Sequence, residues 1–159
     1  MRIWIENRHP TVRVGQHLVR NWATRVLKAL GLQEAELSIL LVADEEIAAL
    51  NRQYLRKRGP TNVIAFSMRE GEGSQVAPHL LGDVVISPDT ARREAEAAGI
   101  PFTKRLQALL VHGILHLLGH DHVGDKAQAQ RMEQEEERLL GVLTGDSRVP
   151  RTRARGNAK

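Results

Sequence analysis

Three histidines in the carboxyl-terminal third of the chain have the spacing of metal ligands. His112 and His116 are four residues apart on a predicted helix, so both imidazoles lie on one face, a turn apart. Gly119 is suited to end that helix because glycine adopts positive φ without steric cost. A turn there would bring His122 towards the same ion. Three neutral imidazoles leave the fourth position of a tetrahedral metal open, which is typical of a catalytic zinc site.

The neighbouring residues leave the character of this site open. A fourth ligand at His120 would close the coordination sphere and make the metal structural. Asp121 either orients a ligand imidazole as a hydrogen-bond acceptor or is an exposed residue of the turn. Histidines on an apolar helix also occur as ordinary core residues. Burying two of them without partners would cost about 1–3 kcal/mol each, which favours the metal site.

The residue after the first histidine argues against a peptidase. The three histidines, with a glycine seven residues after the first, match the long zinc motif of the metzincin peptidases. Zinc peptidases place their general base, a glutamate, directly after the first histidine, whereas this chain has Gly113 there. Zinc also lowers the pKa of water and attracts anions such as phosphate. The chemistry favours phosphodiester hydrolysis, although the spacing alone leaves both reactions open.

The strands and helices that position these histidines are predicted to form one domain of mixed α and β structure. With 159 residues, 42% of them hydrophobic and 26% charged, the chain has the composition of a globular protein with one core. Apolar periodicity predicts an α+β fold in which a four-stranded mixed sheet packs with about five helices, not a repeated parallel βαβ array. The predicted strands are 2–6, 37–43, 62–68 and 82–87, and the predicted helices are 16–30, 45–54, 88–99, 102–118 and 126–140. Leu18 is assigned to the buried stripe of the first helix, and Asp44 is assigned as the N-cap of the second.

Charge divides the chain into a domain, residues 1–146, and a basic tail, residues 147–159. The tail holds five of the 23 basic residues and no acidic residue, which leaves 18 basic and 19 acidic residues in the domain. We expect the tail to be disordered, and it either adds sequence-independent attraction to nucleic acid or is only a solubilising end. The absence of cysteine excludes disulfides and thiol catalysis. No apolar stretch reaches the roughly 18 residues of a membrane helix, and a cytoplasmic location is expected.

Several segments resemble the YbeY family of bacterial metal-dependent endoribonucleases. Residues 112–122 match every specified position of the family motif H-G-x-L-H-L-x-G-x-D-H, and residues 41–51, 60–66 and 81–87 resemble further family segments. The resemblance implies a zincin-like fold and one zinc ion held by His112, His116 and His122. It also implies cleavage of single-stranded ribosomal RNA precursors, in maturation of the 3′ end of the small-subunit RNA and in ribosome quality control, with ribosomal proteins as partners.

The chain departs from this family at one position of the second helix. The family commonly has Y-R-x-x-D-x-P-T, and its arginine is thought to hold the substrate phosphate. Here Tyr54 is followed by Leu55, and Arg56 comes one residue later, a rotation of about 100° on a helix. We assign the catalytic phosphate contact to Arg56, because a guanidinium binds phosphate oxygens bidentately. The alternative is a solvated basic loop that includes Lys57 and Arg58.

The sequence is also compatible with other functions and with other metals. The change at Leu55 is compatible with a ribosome-assembly factor that binds RNA or protein and uses its metal to brace the fold. A zinc peptidase is disfavoured by Gly113. Three imidazoles would also accept nickel, cobalt or copper.

Overall fold

The computed structural model describes residues 1–68, 79–120 and 125–145, and these contain four strands and five helices. The α+β class and the mixed four-stranded sheet are therefore confirmed. The expected tail, residues 147–159, lies outside the described residues. None of the described helices is long and apolar enough to cross a membrane. The elements are β1 (Arg2–Asn7), α1 (Gln16–Ala29), β2 (Glu36–Leu41), α2 (Asp44–Leu55), β3 (Val63–Ser67), β4 (Leu80–Ile86), α3 (Pro88–Ala98), α4 (Phe102–Leu117) and α5 (Lys126–Thr144).

The sheet combines a parallel core with one antiparallel edge. Its strand order is β1-β2-β4-β3, with β1, β2 and β4 parallel and β3 antiparallel to β4. The segment β1-α1-β2 is thus a βαβ unit, whereas the direct connection from β3 to β4 reverses the chain. This edge matters for the site because β3 lies beside α4.

The core lies between one face of the sheet and the helices α1, α4 and α5. In β2, Leu37, Ile39 and Leu41 alternate with more exposed residues and point into this core. Helix α4 is apolar on most sides, since it packs on the sheet, α3 and α5 at once. A smaller apolar cluster on the other face of the sheet packs under α2. The predicted histidine helix is therefore fixed from several sides.

Gly113 allows α4 to approach the sheet closely. A Cβ atom at this position would lie 2.6 Å from Cγ1 of Val84 and 3.3 Å from Cγ2 of Val63. A larger residue would overpack the core, and either Val84 or α4 would have to shift to accommodate it. The glycine in the histidine motif thus sets the depth at which the histidine helix sits.

Two local predictions were wrong. Leu18 is 42% exposed, and Val19 takes the buried position beside it, because periodicity fixes a helix face only to within about one residue. Asp44 is the first residue of α2 and does not act as its N-cap, which is Ala43. Its carboxylate instead accepts hydrogen bonds from the hydroxyls of Ser87 and Thr90, at 2.6 and 2.8 Å. A tertiary contact has replaced the local cap.

Candidate metal centre

Helix α4 places His112 and His116 side by side. Their ring centroids are 4.5 Å apart, with 59° between the ring planes, and both residues are half-buried. This adjacency follows from the four-residue spacing on a regular helix. The helix then ends as its sequence suggests, with Gly119 at a φ of 92°. Two of the three predicted ligands are thus held next to each other.

The rest of the predicted ligand set is only partly visible. His122 and Asp121 lie outside the described residues. Within the ranges that the structure does describe, no group of three histidine, aspartate or glutamate side chains is arranged to hold an ion. His120 borders a different hollow, beside Gln128 and Arg131, rather than the space around the histidine pair.

A glutamate from α5 reaches the first histidine. Oε2 of Glu136 lies 2.6 Å from Nδ1 of His112, and its side chain is only 20% exposed. Metal-binding histidines usually donate their second ring N–H to a carboxylate, which fixes the ring orientation and the tautomer. With Nδ1 held in this way, Nε2 is the nitrogen through which His112 would bind a metal. The donor set fits zinc, which accepts imidazole nitrogen readily.

Sequence reasoning missed Glu136, although a signal was present. Residues 133 and 135–137 are all glutamates, which reads as a solvated helix face. However, Met132, Leu139 and Leu143 are buried, and position 136 falls on the same helical stripe. An acidic residue on the buried stripe of a helix requires a partner. Here that partner is His112.

His112 lies between two hollows in the surface. The first, which we call the arginine hollow, has a volume of about 280 Å³, and the second, the leucine hollow, of about 210 Å³. The arginine hollow is lined by Asn62, Arg105, Ala108, Leu109, His112, Glu136 and Leu140. The leucine hollow is lined by Leu55, Val63, Ile64, Ala65, His112, Gly113 and His116. A metal at the histidine pair would thus have room for substrate on either side.

Leu55, which stands where the family has an arginine, lies at the leucine hollow. Leu55, the last residue of α2, lines this hollow together with the two histidines. Arg56 follows the helix in a left-handed conformation, with φ 57° and ψ 35°, and is exposed. The structure therefore brings Leu55, and not Arg56, into the lining around His116.

Position 113 has no room for the glutamate of a zinc peptidase. The first carbon of any side chain there would already meet Val84 on β4 at 2.6 Å. A glutamate would therefore require Val84 to shift or α4 to move from the sheet, and in the second case the histidines would move with it. The packing of α4 therefore agrees with the chemical argument against peptide hydrolysis.

Comparison with known proteins identifies the family. The family model described as endoribonuclease YbeY matches residues 4–144. The chain is 45% identical over 150 residues to endoribonuclease YbeY of Geobacter metallireducens, covering 94% of this chain and 100% of that protein. It is 48% identical over 142 residues to the protein of the same name from Syntrophotalea carbinolica, covering 89% and 95%. The solution structure of TM1509 from Thermotoga maritima shares the fold, with a TM-score of 0.64 at 24% identity over 92% of this chain and 91% of that one. The family inferred from the histidine motif is thus confirmed, and the chain belongs to the endoribonuclease YbeY family.

Proposed function

We propose that this protein is a zinc-dependent endoribonuclease that cleaves single-stranded RNA. One zinc ion is held by His112, His116 and His122. The observation that carries the proposal is the adjacent histidine pair on α4, one member of which is held by a half-buried carboxylate from α5. The relatives named endoribonuclease YbeY support RNA as the substrate.

The chain's own residues prepare the site for phosphodiester cleavage. Glu136 keeps the proton of His112 on Nδ1 and fixes the plane of the ring. When bound, zinc supplies a Lewis acid for a phosphoryl oxygen and lowers the pKa of water. The hollows on the two sides of His112 give the RNA strand space to pass the histidine pair.

Arg56 remains our candidate for a phosphate contact in catalysis. It directly follows Leu55, which lines the leucine hollow, and it begins an exposed basic segment with Lys57 and Arg58. A guanidinium at the rim of this hollow would attract the RNA backbone and bind phosphate oxygens in a bidentate manner.

The biological setting proposed here follows the family resemblance. The substrate is ribosomal RNA, cut during maturation of the 3′ end of the small-subunit RNA and during ribosome quality control in the cytoplasm, with the ribosome or its proteins as partners. Residues 1–146 form the nuclease domain in this proposal, and the basic tail, residues 147–159, adds attraction to RNA. Deletion of the tail should flatten the salt dependence of RNA binding.

The proposal is tested by cleavage of an end-labelled single-stranded fragment from the 3′ end of small-subunit ribosomal RNA. Zinc-loaded wild-type protein should cut it, and His116→Ala should lose both bound zinc and cleavage. His79→Ala is the matched control, because His79 is exposed and pairs with Glu36 at 3.0 Å, away from α4. Retention of zinc and cleavage by His116→Ala would contradict the proposal. Equal cleavage by all three proteins, with zinc lost from His116→Ala, would identify a contaminating nuclease as its source.

One observation favours a second candidate, a ribosome-assembly factor with a structural metal. Leu55 stands where the family has an arginine, so the leucine hollow has no lysine or arginine among its described lining residues. Thermal unfolding in a chelator separates the two functions. A catalytic metal predicts that the protein stays folded without it, because the core between the sheet and the helices is apolar and extensive. Collapse of the fold would favour the assembly factor.

A further inference from the structure

The arginine hollow contains a guanidinium that no sequence motif singled out. Arg105 lies two turns before His112 on α4, so both side chains share one face of the helix, about 10 Å apart along its axis. Both residues line this hollow, and Ala108 and Leu109 line it between them. Arg105 is the one lysine or arginine among the described residues that line either hollow.

The position of Arg105 is fixed by the helix beside it. Its Nε donates a hydrogen bond of 2.9 Å to Oε1 of Glu94 on α3. The same carboxylate accepts hydrogen bonds of 3.2 and 3.3 Å from Nδ2 of Asn62, the residue before β3. A guanidinium held through Nε presents its two terminal nitrogens together, as a fork that matches two phosphate oxygens.

We propose that Arg105 binds the RNA phosphate next to the cleaved bond, and that the arginine hollow holds the adjoining nucleotide. The inference rests on the proposed endoribonuclease function and extends it by a second phosphate site. The leucine hollow has Leu55 in the position of the family arginine and therefore lacks that cation. Arg105 would supply a cation from α4, in the arginine hollow on the other side of His112.

The other walls of the hollow agree with a nucleotide. Its apolar lining from Ala108, Leu109 and Leu140 would cover the sugar or the base, while polar groups orient the ligand. The two carboxylates nearby are both engaged, Glu94 by Arg105 and Asn62, and Glu136 by His112. The charge of Glu94 is therefore offset by Arg105, and an oxygen of Glu136 is occupied by His112, so the phosphate meets the guanidinium rather than a carboxylate.

The experiment measures binding of a fluorescein-labelled single-stranded oligoribonucleotide by fluorescence anisotropy over a range of salt concentrations. The protein is used with its zinc bound, the oligoribonucleotide is 2′-O-methylated, and a denaturing gel checks that it stays intact during the measurement. Arg105→Gln removes the charge and keeps a hydrogen-bonding side chain of similar length. Arg138→Gln is the matched control, because Arg138 also pairs with a carboxylate, Glu135, at similar exposure but does not line the hollow.

We expect Arg105→Gln to weaken binding about tenfold and to reduce the slope of log K against log salt by about 0.7, the value for one phosphate contact on a single strand. Arg105→Lys should restore the slope but only part of the affinity, because lysine keeps the charge and loses the fork. Arg138→Gln should match the wild type, and thermal melting should show that all variants are folded.

Two results would overturn this inference without overturning the proposed function. If Arg105→Gln binds with the affinity and salt slope of the wild type while the wild type with zinc still cleaves RNA, the phosphate site is wrong and the proposed function stands. If Arg105→Gln and Arg138→Gln weaken binding equally, the effect is one of overall charge and not of a site. Absence of zinc-dependent cleavage by the wild type would instead overturn the proposed function, and this inference with it.

Discussion

Two histidine–carboxylate pairs in the described part of the chain differ in their surroundings. In the first, Nε2 of His9 lies 2.8 Å from Oδ1 of Asp89. In the second, Nδ1 of His112 lies 2.6 Å from Oε2 of Glu136. His9 is 7% exposed, and its Nδ1 accepts hydrogen bonds from the backbone N–H groups of the loop after β1. His112 instead adjoins the ring of a second histidine and borders two hollows.

The difference shows what separates a structural histidine from a candidate ligand. Both ring nitrogens of His9 are bound by described protein atoms, and Asp89 also accepts a hydrogen bond of 3.0 Å from the N–H of Asp44. This pair therefore ties the loop after β1 to the starts of α2 and α3. A histidine–carboxylate pair is thus not a metal site by itself. The second histidine one turn away, and the space beside it, make the difference at His112.

The largest effect on stability is expected at the structural pair. His9→Ala removes the acceptor for two backbone N–H groups and the partner of the Asp89 carboxylate, all partly buried. We expect the free energy of unfolding to fall by about 2–4 kcal/mol in urea titrations. His17→Ala, at an exposed position of α1, should change it by less than about 0.5 kcal/mol. If the two substitutions change the free energy of unfolding equally, the structural role of His9 is contradicted.

The second prediction concerns the carboxylate of the candidate metal centre. Glu136→Gln keeps an oxygen near Nδ1 of His112 but removes the negative charge that orients the ring and raises its basicity. Zinc affinity, measured by competition with a chelator, should fall by about 10–100-fold. Glu137→Gln, one residue further along α5 and exposed, should leave the affinity unchanged. Unchanged zinc affinity in Glu136→Gln would indicate that the His112–Glu136 pair has a structural role, like the His9–Asp89 pair.

The smallest effect is a pH dependence in the network beside His9. Burial raises the pKa of the Asp44 carboxyl, but hydrogen bonds from Ser87, Thr90 and Arg93 outweigh it and hold the pKa below its ordinary value of 3.8. The carboxylate therefore stabilises the fold above that pH, and its contribution is lost as the pH falls through the folded-state pKa. Asp44→Asn should cost about 1–2 kcal/mol at neutral pH, measured by urea titration.

The same titrations at lower pH check the cause of this effect. The difference between wild type and Asp44→Asn should shrink as the pH falls below the ordinary value of 3.8 and through the lower folded-state pKa, where the wild-type carboxyl becomes protonated. Glu45→Gln, an exposed neighbour, is the control and should show little difference at any pH. A cost for Asp44→Asn that is independent of pH would show that shape, rather than charge, matters at this position.

The sequence predicted the elements better than their arrangement. All nine elements are present, because apolar periodicity reports directly on which residues face a core. The strand order β1-β2-β4-β3 did not follow from the sequence, since pairing between distant strands leaves no local pattern. The ends of elements were also missed where tertiary contacts compete, as at Asp44.

The candidate site likewise contains one feature that the sequence predicted and others that depend on tertiary packing. The adjacency of His112 and His116 follows from helix geometry alone and was predicted. Glu136 and Arg105 reach the site only because α5 packs against α4 and because Glu94 on α3 holds the guanidinium. Whether Leu55 or Arg56 faces the histidines depends on the residue at which α2 ends. A sequence pattern does not predict the end of a helix to within one residue.

The most direct test of this account is the zinc content of His112→Ala and His9→Ala beside the wild type. Each protein is dialysed against zinc, then against zinc-free buffer, and its bound metal is measured by mass spectrometry at a temperature where all three are folded. We expect one zinc ion per chain in the wild type and in His9→Ala, and none in His112→Ala. A full zinc ion in His112→Ala, or its loss in His9→Ala alone, would contradict the assignment of the metal centre to α4.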